Sequence, residues 1–304
     1  MASRFQDLIN SRMGVGTALA FSRIIPTRLG YWLGNILVDR ISLRKDLEMV
    51  RAVRLNQWVV SGQKATSHDL DILVKRTFRN TAHTLFDVYR TLSEPSDMEK
   101  IIIMNPAFES IIERATSMDD GIIIVSGHMN QVDLMALYAG YLGARPFGLM
   151  FSSPTGGYEW QNDIREKFGI ESHPTDKAAL KKAIERLKAG GTVATAVDRP
   201  LPSSRRQPLF FGNRAALPLH YIMLALKTDV PIVVASPLLK RDGKYEIKVS
   251  DPIYMDRFSN RDKSMLFNAE KVLKVVENLI LDAPYQWAMY YPVWPSLMDK
   301  VPVN

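Results

Sequence analysis

Two periods of hydrophobicity alternate along this chain. Residues 122–125 read Ile-Ile-Ile-Val and residues 192–197 read Thr-Val-Ala-Thr-Ala-Val. Short, unbroken runs rich in β-branched residues predict strands buried on both faces. Residues 146–151 and 231–238 predict two further strands, 169–173 a short edge strand, and 245–249 an antiparallel neighbour of 231–238. Between these runs the apolar positions follow helical spacing. Leu134, Leu137 and Tyr138 share one helix face, as do Ala179, Leu180, Ala183, Ile184 and Leu187. The second of these helices is expected to start at a Thr175 cap and to stop at Gly190-Gly191. Other helices are expected over 108–115, 158–168, 217–226 and 263–281, with a Ser/Pro/Gly loop over 152–157. Strand alternating with helix predicts an α/β fold, a central, mostly parallel sheet with helices on both faces.

The first third of the chain has a different pattern. Residues 1–92 predict an N-terminal helical extension, with 47–92 helical apart from a break near 61–67, and Val74, Phe78, Thr81, Leu85, Phe86 and Tyr89 marking its core-facing side. Residues 93–304 form the expected α/β core, and no repeat, low-complexity tract or compositional break separates the two parts into independent domains. Leu29, Trp32, Leu33, Ile36, Leu37 and Ile41 recur at helical spacing, flanked by Arg28, Arg40, Arg44 and Lys45. Such a stripe suits a helix lying on an anionic membrane surface. It equally suits a helix packed on its own domain. The longest early apolar run, residues 13–21, is closed by Arg23 and falls short of the roughly 20 residues of a membrane span. It also lacks the basic start and small-residue cleavage site of a signal peptide.

Composition narrows the chemistry. The 304 residues include no cysteine, which excludes disulfides, thiol nucleophiles and thiolate metal sites. Lys and Arg number 39 against 32 Asp and Glu, a net charge of +7 that favours polyanions: nucleic acid, anionic lipid or phosphorylated substrates. Nucleic acid is the weakest of these, because the aromatic residues lie in apolar periodic stretches and not among the basic ones. His68 and His83 lack metal-like partner spacing, and no metal is expected.

The most informative stretch follows the 122–125 strand. Ser126-Gly127 breaks the strand and a helix begins near Asn130, the place where ligands of open α/β sheets bind. His128 and Asp133 stand there with four residues between them, a His-x4-Asp pattern. Asn130 is a good N-cap and would put Asp133 at the third helical position, as in a capping box. Two readings follow: a carboxylate-supported histidine serving as general base, or a helix cap beside a loop histidine satisfied by backbone. The 192–197 strand delivers Asp198 and Arg199 to its carboxyl end. Arg205, Arg206 and Arg214 in the 200–218 loop either hold a phosphate or form a solvated cluster. Ser126 stands in no Gly-x-Ser-x-Gly elbow, which argues against a serine hydrolase.

The order of these features resembles the bacterial lipid A late acyltransferase family, which also includes acyltransferases of phosphatidylinositol mannosides, within the glycerophosphate acyltransferase-like superfamily. The resemblance covers about residues 50–294. It rests on the strand-Gly-His128-x4-Asp133 block, Arg165-Glu-Lys-Phe-Gly169, and Leu187-Lys-Ala-Gly-Gly191 leading to Asp198. Phe210-Phe211-Gly212 and Pro284-x-Gln-Trp287 follow in order. It implies O-acylation of a lipid or glycolipid hydroxyl by a peripheral enzyme at the cytoplasmic face of the inner membrane. The donor would be acyl-CoA or acyl carrier protein, with no cofactor. In that reading His128 takes the acceptor proton, Asp133 holds the ring, and Asp198 is a second carboxylate partner. Arg165, Arg206 and Arg214 bind phosphate of donor or acceptor, with Asn130 beside them. The lipid A branch usually has Glu where Asp133 stands and Asp-Gln where Asp198-Arg199 stands. A lipid esterase or thioesterase using the same site is the rival enzyme, and a non-catalytic lipid-binding protein the rival of another class.

Overall fold

The computed structural model describes residue 22 and residues 24–303 apart from 93, 130, 131 and 151–155; the side chains of 156–161 are also outside the description. Asn130, the 13–21 run and most of the 152–157 loop therefore lie outside the described residues.

Among the described residues, seven strands form one sheet. In chain order they are β1 (Ile102–Ile103), β2 (Ile122–Ser126), β3 (Phe147–Met150), β4 (Glu171–Pro174), β5 (Thr192–Ala196), β8 (Ile232–Leu239) and β9 (Tyr245–Val249). Across the sheet the order is β1-β9-β8-β2-β5-β3-β4. The neighbours from β8 through β4 are parallel, β9 runs antiparallel to β8, and β1 is parallel to β9. The intervening β6 (Leu209–Phe210) and β7 (Asn213–Arg214) make a separate small hairpin. The expected mostly parallel α/β sheet is what the chain forms.

Alternation along β2 explains its unbroken apolar run. Ile123 and Val125 enter the largest core cluster, while Ile122 faces a second one with Ile111 and Val233. Helices cover both faces. On one side lie α7 (Lys177–Lys188), α8 (His220–Thr228) and α9 (Arg261–Asp282); on the other lie α4 (Pro106–Ser117) and α5 (Val132–Tyr141). A further helix, α6 (Gly156–Lys167), leads into edge strand β4.

α4, α6 and α9 each start two residues earlier than expected, and two other helix starts differ for a local reason. Asp176, not Thr175, caps α7 by accepting from the Ala179 N–H at 2.8 Å, while the Thr175 hydroxyl donates to the Met150 carbonyl at 3.0 Å. α8 starts at His220 instead of 217. Pro218 accounts for this, since the residue before a proline is pushed out of helical geometry.

The N-terminal segment contributes α1 (Thr27–Ser42), α2 (Glu48–Val60) and α3 (Ser67–Thr91). α2 is woven into the main core through Leu55, Trp58, Val59 and Val60. α3 buries Val74 and Phe78 as expected. Beyond Phe78, however, its buried positions are Asn80, Thr84, Asp87, Val88 and Thr91 and not Leu85, Phe86 and Tyr89. The reason is α1, which lies against α3 with its polar side inward. Thr27 accepts from Arg90 at 2.8 Å, the Tyr31 hydroxyl donates to Asp87 at 2.6 Å, and a His83 ring nitrogen sits 2.9 Å from Asn35 Oδ1. Arg79 then donates to Asp39 at 2.6 Å. Thr27, Tyr31, Asn35 and Asp39 are four apart, so they form one stripe along the helix. Gly30 permits the close approach, because a Cβ there would lie 2.3 Å from the Phe86 ring. Most of the apolar stripe is left outside: Leu29, Trp32, Leu33, Ile36 and Leu37 are exposed, Trp32 to 57 %, while Ile41 packs on the cluster of Val38, Val53, Val74 and Phe78. No described helix is long and apolar enough to cross a membrane.

Candidate active site

Strand register builds the site. β2 and β5 pair in parallel with Ser126 opposite Ala196, and the Val197 N–H continues the ladder to the Ser126 carbonyl at 3.1 Å. Two residues past those positions, His128 and Asp198 come side by side at the carboxyl end of the sheet. His128 Nδ1 lies 2.5 Å from Asp198 Oδ1, and the His128 backbone N–H donates to Oδ2 at 2.7 Å. The indole N–H of Trp287 donates to the same Oδ2 at 2.7 Å. Asp198 is fully buried, while about a third of the His128 side chain is exposed (33 %). Gly127 makes room for the carboxylate: a Cβ there would stand 3.1 Å from Asp198 Oδ2.

The electrostatics follow from this geometry. Burial alone would push the Asp198 carboxyl up, but the His128 charge and the hydrogen bonds from His128 and Trp287 hold it below the ordinary carboxylate value. Burial disfavours the imidazolium at His128, yet the charge and hydrogen bond of Asp198 outweigh that and raise its pKa above the ordinary histidine value. The pair is therefore an ionised carboxylate holding Nδ1–H, which leaves Nε2 as the nitrogen that gains and loses the proton.

Asp133 is placed differently from the sequence expectation. The carboxylate at His128 Nδ1 is Asp198. Asp133, on the first turn of α5, accepts from Arg165 Nε at 3.0 Å and from a terminal guanidinium nitrogen at 2.7 Å. Arg165 also donates to Asn162 at 2.9 Å. Asp133 is close enough for its charge to help raise the His128 pKa, as the smallest of the contributions. Spacing along the chain does not reveal this, because a helix rotates away from a loop histidine, whereas a paired parallel strand carries its next carboxylate straight to it.

Of the three loop arginines read as a phosphate site or a solvated cluster, Arg206 and Arg214 have separate partners. Arg206 donates to Asp262 at 2.7 Å, and Arg214 to the Gln207 carbonyl at 3.2 Å. Arg199, to which the sequence assigned no role, lies with its guanidinium 4.2 Å from the centre of the Tyr291 ring, and its charge works against the imidazolium of His128. The Ser126 hydroxyl is buried and donates to the Gly127 carbonyl at 2.9 Å, so it is not presented as a nucleophile. Among the described residues no three His, Asp or Glu side chains cluster in a way that would hold a metal ion.

With a His-carboxylate pair at the carboxyl end of a parallel sheet established, comparison with known proteins decides the family. A family model for bacterial lipid A biosynthesis acyltransferases matches residues 22–296. The chain belongs to this family. Comparison with curated proteins gave no match. The family is one of acyltransferases, and the matched span takes in α1 to α3 as well as the sheet.

Proposed function

We propose that this family member transfers a fatty acyl chain from a thioester donor, acyl-CoA or acyl carrier protein, to a hydroxyl of a lipid or glycolipid acceptor. His128 is the general base. The observation that carries this reading is the buried Asp198 carboxylate at His128 Nδ1. Neutral His128 takes the acceptor's hydroxyl proton on Nε2 as that oxygen bonds to the thioester carbonyl carbon. The tetrahedral adduct then collapses, the C–S bond breaks, and the imidazolium returns the proton to the departing thiolate. Asp198 stays ionised throughout and stabilises the transient imidazolium. Asp133 and Arg165 act as a neutralised pair at the rim, setting the start of α5 beside the histidine.

The exposed apolar face of α1 supports a peripheral position on a membrane surface, where Arg28 and Arg40, both exposed, meet anionic headgroups. That placement brings a lipid acceptor within reach without a membrane span, and the cytoplasmic face follows from a CoA or carrier-protein donor.

The test is thiol release from palmitoyl-CoA with and without a panel of lipid acceptors. Replacing His128 by Ala is expected to lower acceptor-stimulated release by about 10³-fold. Release that survives the substitution removes His128 from the mechanism, and release equal with and without acceptor shows an esterase instead. The base acts in its neutral form and its pKa is raised, so kcat/KM should climb with pH through a midpoint above about 6.5. A midpoint below that value contradicts the Asp198 pairing.

A further inference from the structure

We infer that Trp287 is a positioning residue for the reaction, its indole N–H fixing the Asp198 carboxylate so that the opposite oxygen faces His128 Nδ1. This rests on the reading of His128 as the base. The segment around Trp287 is built to deliver that one hydrogen bond. Gln286 locks it to the end of β8, donating to the Leu239 carbonyl at 2.8 Å and accepting from the Leu239 N–H at 2.9 Å. Gln57 of α2 donates to the Pro284 carbonyl at 2.7 Å. On the far side, Met129 and Trp287 form an antiparallel bridge and the Ala288 N–H donates to the His128 carbonyl at 2.8 Å. The segment that presents the base is thus paired through backbone with the segment that holds its carboxylate. A carboxylate buried away from water needs such donors; each charge-assisted bond both orients it and takes up part of its charge.

The fold supplies its own control. Trp294 sits in the same aromatic cluster with Phe210, Phe211 and Trp287, with ring centres of the two tryptophans 6.3 Å apart. Both tryptophans are 1 % exposed. The indole nitrogen of Trp294, however, has no hydrogen-bond partner among the described residues. Trp287→Phe and Trp294→Phe therefore remove similar buried surface, but only the first removes a hydrogen bond to Asp198.

The experiment is a pH titration of His128 by ring-nitrogen NMR in the full chain, its resonance assigned by loss in His128→Gln, together with the pH profile of acyl transfer. Without the indole bond the carboxylate draws the imidazolium proton more strongly, so Trp287→Phe should raise the His128 midpoint by about half a unit or more. It should also lower kcat about 10-fold with KM nearly unchanged, because the indole is too deep to touch substrate. Trp294→Phe should lower the melting temperature by a similar amount yet leave the His128 midpoint in place. Equal shifts in the two variants, or none in either, overturn the inference. Should Trp287→Phe not fold, the wild-type indole N–H resonances decide: that of Trp287 should move with the His128 titration while that of Trp294 stays still, and a stationary Trp287 signal overturns the proposal. A wild type that transfers no acyl group to any acceptor removes the acyltransferase reading, while the titration still decides the role of Trp287.

Discussion

α9 and α1 carry apolar stripes of the same helical period and meet opposite fates. In α9 the stripe of Met265, Ala269, Val272, Leu273, Val276 and Ile280 is buried against the sheet. In α1 the stripe of Leu29, Trp32, Leu33, Ile36 and Leu37 looks outward, and the helix is held to α3 by its polar side through Tyr31–Asp87, His83–Asn35 and Arg79–Asp39. Periodicity reports that a helix has an apolar face; it does not report what covers it. Burying that face on the protein would gain roughly 25 cal/mol per Å². A helix that gives this up and spends hydrogen bonds on its inner side is suited to an apolar partner elsewhere. The seam also ties α1 to the sheet, because Asp87 accepts a second phenol from Tyr245 of β9 at 2.8 Å. Burial pushes the Asp87 carboxyl above its ordinary value, against the pull of its two phenol donors.

The sharpest way to break the comparison is to delete one apolar side chain from each helix. Leu273→Ala in α9 is expected to cost about 3 kcal/mol in chemical denaturation, since it opens a cavity in a fully buried layer. Trp32→Ala in α1 should stay within about 0.5 kcal/mol. A loss at Trp32 approaching that at Leu273 would mean that the α1 face is covered by protein after all. The next effect concerns lipid. Replacing Trp32 and Leu33 together by Asp should weaken binding to vesicles containing anionic phospholipid roughly 30-fold while leaving the melting temperature unchanged. Undiminished vesicle binding would move the docking surface elsewhere. The smallest effect is electrostatic: Arg40→Gln should weaken the same binding about 5-fold at low salt, and less as salt is raised, because each basic residue near an anionic surface contributes about 1 kcal/mol. A salt-independent response would remove Arg40 from the contact.

Much of the fold was legible because its signals are local. The runs at 122–125 and 192–197 become paired central strands, and the edge strand and the antiparallel neighbour of 231–238 lie where their patterns put them. Two of the shifted helix starts came from competing local chemistry: an aspartate one residue past the threonine, and a proline two residues before the helix. In the site, His128 and Asp198 were both readable as polar residues at strand ends, and β2–β5 register brings them together. The assignment of Asp133 to the ring was not readable correctly, because its partner Arg165 lies 32 residues away on another helix. Trp287 stood in a recognisable block, yet nothing in its neighbours shows that its N–H reaches a carboxylate 89 residues earlier.

By itself, then, the sequence determined the element types, the parallel layering, the absence of thiol chemistry and the presence of a histidine at a strand-to-helix junction. These depend on interactions within a few residues or on composition. The tertiary structure alone decided which carboxylate holds His128, which indole holds that carboxylate, and which side of α1 turns outward. Each of those is a choice among chemically equivalent partners, settled by strand register and helix packing over distances along the chain that no local pattern encodes.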